Sequence, residues 1–239
     1  MPMPKYLIVN ADDFGLSPGV NRGIMEAAEQ GILTSASLMV RQPAALAAAD
    51  YSRLHPKLSI GLHVDLGEWV YRSEEWVPLY SVVPTDDPGA IAAEVARQLT
   101  QFTKLMRRPP THLDSHQHVH RDDPTRSIVK EAAAQLNIPV RDQTPGIVYC
   151  GDFYGQSAKG ESMPELLTVE ALQSILASLP EGVTELGCHP GYDDGLATAY
   201  RAERAIEVKT LCSPEIRETL AALRIELRSF EDFAGIGLG

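Results

Sequence analysis

Apolar and polar positions along the chain fall into two alternating kinds of segment. Short runs rich in aliphatic residues, at 6–11, 35–40, 59–66, 111–116, 139–142, 183–188 and 225–230, read as strands. Longer stretches between them carry helix start and stop signals. Ser17-Pro18 supplies an N-cap and a first-turn proline, and Gly31 closes the helix they open. Further helices are expected at 44–54, stopped before Pro56, at 89–106, from Asp123-Pro124 to about Asn137, at 168–179, and as a pair between 201 and 223. Seven strands joined by helical crossovers predict an α/β protein with a parallel sheet, closed or nearly closed into a distorted (β/α) barrel. An open doubly wound sheet is the competing arrangement. Both bind ligands at the carboxyl ends of their strands.

Two stretches interrupt the alternation. Residues 67–88 hold Trp69, Tyr71, Trp76 and Tyr80 among prolines and acidic residues, and residues 143–164 hold Tyr149, Phe153 and Tyr154. Both read as irregular excursions on the rim. Their aromatic residues serve either as loop anchors or as sugar-stacking platforms, and no spacing separates the two roles. The chain shows no internal repeat.

Length and composition narrow the field. At 239 residues the chain fits one catalytic domain, 1–239, and 44% hydrophobic residues are ample for a core. A net charge of -11 argues against a nucleic-acid partner, because that affinity comes largely from Lys and Arg. It leaves room for a neutral or cationic sugar. Three cysteines, Cys150, Cys188 and Cys212, make no disulfide framework. The start has no signal-peptide pattern, and no apolar run nears the roughly 20 residues of a membrane span. The expectation is a cytoplasmic protein with no membrane span.

The chemistry concentrates in Thr111-His112-Leu113-Asp114-Ser115-His116-Gln117-His118-Val119-His120, where four of the seven histidines and a carboxylate fall within ten residues. Imidazoles beside a carboxylate suit a catalytic divalent metal. If the segment is extended, Asp114, His116, His118 and His120 share one face. A turn at Arg121-Asp122-Asp123 moves the last of these into a loop, which favours one ligand from the cluster and leaves Asp114 and His118 to orient it or touch substrate. Asp12-Asp13 end the first strand, and because Ser17 already caps the next helix, the pair is free for other work. His63 lies in a strand, where a satisfied core histidine is the commoner outcome, and Asp65 two residues on shares its face. His189 is followed by Pro-Gly, whose turn presents an imidazole as a general acid if a pocket lies there. Arg141 pairs either with a carboxylate of the site or with the surroundings of Asp142.

Taken together, Asn10 to Gly15 (NADDFG), Gly61-Leu62-His63, Thr111 to His120 and Cys188-His189-Pro190-Gly191 resemble the YdjC-like carbohydrate deacetylases, in order from about Tyr6 to Phe233. These include chitooligosaccharide deacetylases and hopanoid-biosynthesis-associated deacetylases. The resemblance implies a polysaccharide-deacetylase-like barrel, often a homodimer. It implies one divalent metal, Mg²⁺ or Zn²⁺, held by Asp13, His63 and His116, with Asp12 as the base and His189 near the reacting centre. Family members often read SHHHVH where this chain has Gln117 in the middle position, which leaves the matched ligand in place and removes any substrate contact of the middle histidine.

The reaction this implies is hydrolysis of the N-acetyl amide of an amino sugar or oligosaccharide. The metal polarises the carbonyl and activates water, Asp12 takes the proton, and His189 protonates the leaving amine. Two rivals stand beside it: a metal-dependent phosphoesterase, and a sugar-binding module whose metal is structural. A glycoside hydrolase is disfavoured because adjacent strand residues point to opposite faces and do not flank one glycosidic bond.

Overall fold

The structure, a computed structural model, describes residues 4–233. Its centre is β1 (Lys5–Phe14), in which every residue from Leu7 onward is buried. Burial on both faces is what a parallel strand covered by helices requires, and it explains the continuous apolar run. α1 (Pro18–Gln30) follows, with Ser17 Oγ accepting from the Val20 N–H at 3.1 Å. Then come β2 (Ser35–Leu38), α2 (Ala45–Leu54), β3 (Ser59–Val64), the pair β4 (Gly67–Arg72) and β5 (Glu75–Ser81), α3 (Pro88–Met106), β6 (Leu113–Ser115) and α4 (Thr125–Leu136). The chain continues through β7 (Ile147–Cys150), α5 (Val169–Ser178), β8 (Gly182–Cys188), α6 (Ala202–Leu211), α7 (Pro214–Ala222) and β9 (Ile225–Leu227).

Seven strands form one sheet in the order β6-β3-β2-β1-β8-β7, with β9 paired to the start of β1. Every pairing in it is parallel. The α/β fold and the strand count match the expectation, but the membership differs. The segment 139–142 pairs with β6 through a single bridge, Leu113 to Val140, because Asp142 turns left-handed (φ 58°) straight after it. β7 takes the vacated place in the count. No ladder among the described residues joins the Val140 edge to β7, so the barrel is not closed by hydrogen bonds there.

Residues 67–88 are not irregular: β4 and β5 form an antiparallel hairpin. Its two-residue loop, Ser73 (φ 49°) and Glu74 (φ 65°), has the positive φ at both positions that a tight hairpin turn needs. α1 packs against the turn after β8. A Cβ at Gly23 would lie 2.4 Å from Gly191 Cα, so a glycine is required there for the helix to reach the His-Pro-Gly turn. Among the described residues no helix is long and apolar enough to cross a membrane.

Candidate metal centre and active site

The carboxyl end of β1 breaks the strand rule. The ladder with β2 shifts register between Ala11 and Phe14, and Asp13 sits in left-handed backbone at φ 67°. A bulge of this kind re-aims side chains. Asp12 and Asp13 therefore converge on one site instead of facing opposite sides of the sheet. Asp13 Oδ1 lies 3.0 Å from His116 Nδ1 and 3.4 Å from His63 Nε2, while Oδ2 accepts from Arg204 Nη2 at 2.6 Å. The guanidinium therefore occupies one oxygen of the carboxylate and leaves the other toward the imidazoles.

His63 comes from β3 and its Nδ1 lies 2.8 Å from Asp114 Oδ1 on the neighbouring β6. With Nδ1–H donated to that carboxylate, the lone pair of Nε2 faces Asp13, the arrangement that orients metal-binding histidines. His116 follows β6 directly. There the chain leaves extended geometry, with Gln117 and His118 both left-handed at φ 50° and 56°. His116 Nε2 has no hydrogen-bond partner although it is buried, and Glu68 Oε2 stands 3.6 Å from it. One donor atom from each of Asp13, His63 and His116 lies within 4.8 Å of the others. Ligands on a tetrahedral Zn²⁺ at roughly 2.0–2.1 Å are about 3.3 Å apart, close to the 3.0 and 3.4 Å separations around Asp13 Oδ1. The donor set and its spacing fit a divalent metal.

Beside the triad, Asp12 is gripped by a buried arginine. Arg141 Nη1 donates to Asp12 Oδ2 at 2.6 Å and Nη2 to Asp12 Oδ1 at 2.7 Å, a bidentate pair. The same guanidinium reaches Asp114 at 2.9 Å and Glu185 at 2.7 Å. It bridges carboxylates from β1, β6 and β8. Burial acts most strongly and raises the Asp12 pKa, but the Arg141 and His63 charges and the Arg141 hydrogen bonds together hold the group below the usual range. Of the two readings of Arg141, the site carboxylate is the one the fold realises. Asp142 instead pairs with Arg121 at 3.1 Å.

His189 ends β8 with its Nε2 3.7 Å from Asp12 Oδ2. Its ring lies against Tyr154 and Tyr200, with centroids 5.4 and 5.2 Å away. Burial pushes its pKa down to about 4, even with Asp12 nearby. Glu207 of α6 accepts from the His189 N–H and from the Tyr200 hydroxyl. Burial pushes Glu207 up to about 8, against the pull of those hydrogen bonds and of Arg204. A carboxyl whose folded pKa exceeds its unfolded 4.5 contributes stability below that value, and the contribution is lost as pH rises through about 8. Glutamine does not titrate. The stability of Glu207→Gln relative to the parent chain should therefore rise between about pH 5 and 9, as read from paired thermal melts. A pH-independent difference would count against a protonated Glu207.

Asp12, Asp13, His63, His116, His189 and Arg204 line a cavity of about 800 Å³ that also takes in Glu68, Trp69, Trp76, Gln117, His118 and Tyr149. His118 lines it without joining the triad, and its Nε2 lies 3.5 Å from the Tyr149 hydroxyl. His120 does not share a face with His116. It closes the turn through Ser115 Oγ, 2.6 Å from its Nδ1. Asp65 does not orient His63 and binds Gln42 and Tyr80 instead, because it lies just past the end of β3. Glu68, Glu185, Arg204 and Glu207 were not singled out by sequence. Arg204 is 191 positions from its partner Asp13, and the mixed charges of α6 look like a solvated helix face.

Solved carbohydrate esterases and deacetylases share the fold of this parallel sheet and its helices. A family 4 carbohydrate esterase from Streptomyces lividans, solved in complex with acetate, has the same fold, with TM-score 0.55 and 10% identity over 94% of this chain and 92% of that one. The sequence profile of the YdjC-like proteins matches residues 6–222, and the chain belongs to that family. It is 32% identical to a carbohydrate deacetylase of Geobacillus stearothermophilus over 97% of this chain and 99% of the relative. It is 33% identical to a chitooligosaccharide deacetylase of Serratia marcescens over 96% of this chain and all of the relative. A solved Enterococcus faecalis protein, described for cellobiose-phosphate cleavage, superposes with TM-score 0.75 at 26% identity over 97% of this chain and 99% of that chain.

Proposed function

We propose that this chain is a metal-dependent carbohydrate deacetylase that hydrolyses the N-acetyl amide of an amino sugar or oligosaccharide. The observation that carries this reading is the Asp13-His63-His116 cluster, which faces Asp12 and His189 across one cavity. The names of the Geobacillus and Serratia relatives support it. A metal held by Asp13, His63 and His116 would supply Lewis-acid polarisation of the acetyl carbonyl and a water of lowered pKa. Two imidazoles and a carboxylate suit Zn²⁺, and also Co²⁺, Ni²⁺ or Mn²⁺, better than Mg²⁺, which prefers an all-oxygen shell.

The chain's own groups account for the protons. Asp12, fixed by Arg141, accepts the proton of the attacking water. The amide carbon–nitrogen bond breaks as His189 Nε2 delivers a proton to the departing nitrogen, giving acetate and a free amine. His189 is neutral at rest, with its pKa near 4, so its proton must arrive within the cycle. Asp12 Oδ2, 3.7 Å away, is the nearby carboxylate that has just received one.

The carboxylates do not suit a glycoside hydrolase. Asp12 and Asp13 are each ion-paired to a buried arginine, whereas that reaction needs one of its two carboxyls protonated. A phosphoesterase would need a phosphorylated substrate, and the Enterococcus protein's description names a sugar phosphate without saying which bond is cleaved. Against it, the arginines lining the cavity, Arg121 and Arg204, are already paired with Asp142 and Asp13. Metal-stripped protein reloaded with single divalent ions and given diacetylchitobiose should release acetate, and a 6-phosphorylated disaccharide should yield no phosphate. Phosphate without acetate would reverse the assignment.

A further inference from the structure

Gln117, the residue that departs from the family's SHHHVH pattern, does not point at the metal centre. Its left-handed backbone turns the side chain toward the β4–β5 hairpin, where the amide clips the backbone of Trp69 in both directions. Trp69 N–H donates to Gln117 Oε1 at 2.8 Å, and Gln117 Nε2 donates to Trp69 O at 2.8 Å. One side-chain amide thus acts as an extra strand partner for β4, from the position adjacent to the ligand His116. Two consecutive non-glycine residues in left-handed backbone are strained, so the surroundings must enforce the conformation. The clip is one such constraint, and it ties the hairpin to the site.

The hairpin carries Trp76, which lines the cavity yet is 53% exposed. Tyr71 braces the indole edge-on, with ring centroids 5.6 Å apart and planes at 66°. The same cavity is lined by small and polar groups, Gly151, Asp152 and Ser157. An exposed indole and polar groups in one cavity match a pyranose ring, which presents an apolar C–H face on one side and hydroxyls at its edge. At about 800 Å³ the cavity holds more than the acetylated ring alone.

We propose that Trp76 is the stacking platform for a sugar ring beyond the acetylated one. We assign to Gln117 the task of fixing that platform relative to the metal centre, so that the chain selects N-acetylated oligosaccharides over the monosaccharide. The proposal rests on the deacetylase reading above. Gln117 is a positioning residue, and Trp76 sets chain-length specificity.

Two measurements test it. The first is kcat/KM for N-acetylglucosamine, diacetylchitobiose and triacetylchitotriose. Trp76→Ala should lower the oligosaccharide values by roughly 10-fold or more, as expected for loss of an aromatic anchor covered on binding, and leave the monosaccharide value unchanged. Gln117→Ala should weaken the oligosaccharide preference in the same direction with metal content unaltered. Equal losses on all three substrates, or none, would overturn the proposal. The second is calorimetric titration of metal-free protein with triacetylchitotriose, since both tryptophans line the cavity and fluorescence would not separate them. A saturable change should be present in the parent chain and absent in Trp76→Ala, and its persistence in the variant would overturn the platform. If the parent chain releases no acetate from any substrate, the deacetylase reading fails by itself. The titration then still decides whether Trp76 binds sugar.

Discussion

Asp13→Ala should abolish metal binding and turnover together. Asp13 supplies the anionic member of the triad, and its Oδ1 is the atom between the two imidazoles. Losing an outer partner of a metal ligand already costs about 10–100-fold in affinity, so losing the carboxylate itself should exceed that range. The substitution also leaves the Arg204 guanidinium buried without its 2.6 Å partner. Breaking one side of a buried pair typically costs about 3–5 kcal/mol, so a lowered melting temperature should accompany the loss. Metal stoichiometry by mass spectrometry after dialysis, with a melt in parallel, checks both. Asp13→Asn keeps the side-chain size and should fold better while still losing the metal. A variant that kept one metal per chain would remove Asp13 from the site.

His189→Ala should lower kcat on the amide by roughly 10²–10⁴-fold, the usual contribution of a general acid, with little change in KM or metal content. An amine leaves poorly without a proton, and in the proposed mechanism His189 Nε2, 3.7 Å from Asp12 Oδ2, provides it. The defect should shrink sharply on 4-nitrophenyl acetate, whose leaving group needs no proton. A general loss of structure around Tyr154 and Tyr200 would impair both substrates alike, and that outcome would contradict the acid role.

The parts of this fold that sequence displays are those where burial is continuous. β1, β3 and β8 are covered on both faces and stand out as apolar runs, and their carboxyl ends carry Asp12, Asp13, His63 and His189 at the site. His116 was legible because the histidine cluster ends a strand. The hairpin was not, because its turn is Ser73-Glu74, without the Gly or Asn that normally marks positive φ. β7 escaped notice as a four-residue, half-buried edge strand between turn residues. The bulge at Asp13 was invisible as well. Strand alternation predicts that Asp12 and Asp13 diverge, and only the backbone geometry shows them converging. Arg204 and Glu207 act across long sequence distances from α6, where no local pattern marks them.

The central claim is that Asp12 acts as the base beside a metal held by its neighbours. The most direct test is acetate release from diacetylchitobiose by metal-reloaded Asp12→Asn, with metal content measured on the same sample. The account predicts a full complement of metal and no measurable acetate above background. Acetate release at the parent rate with metal bound would contradict it.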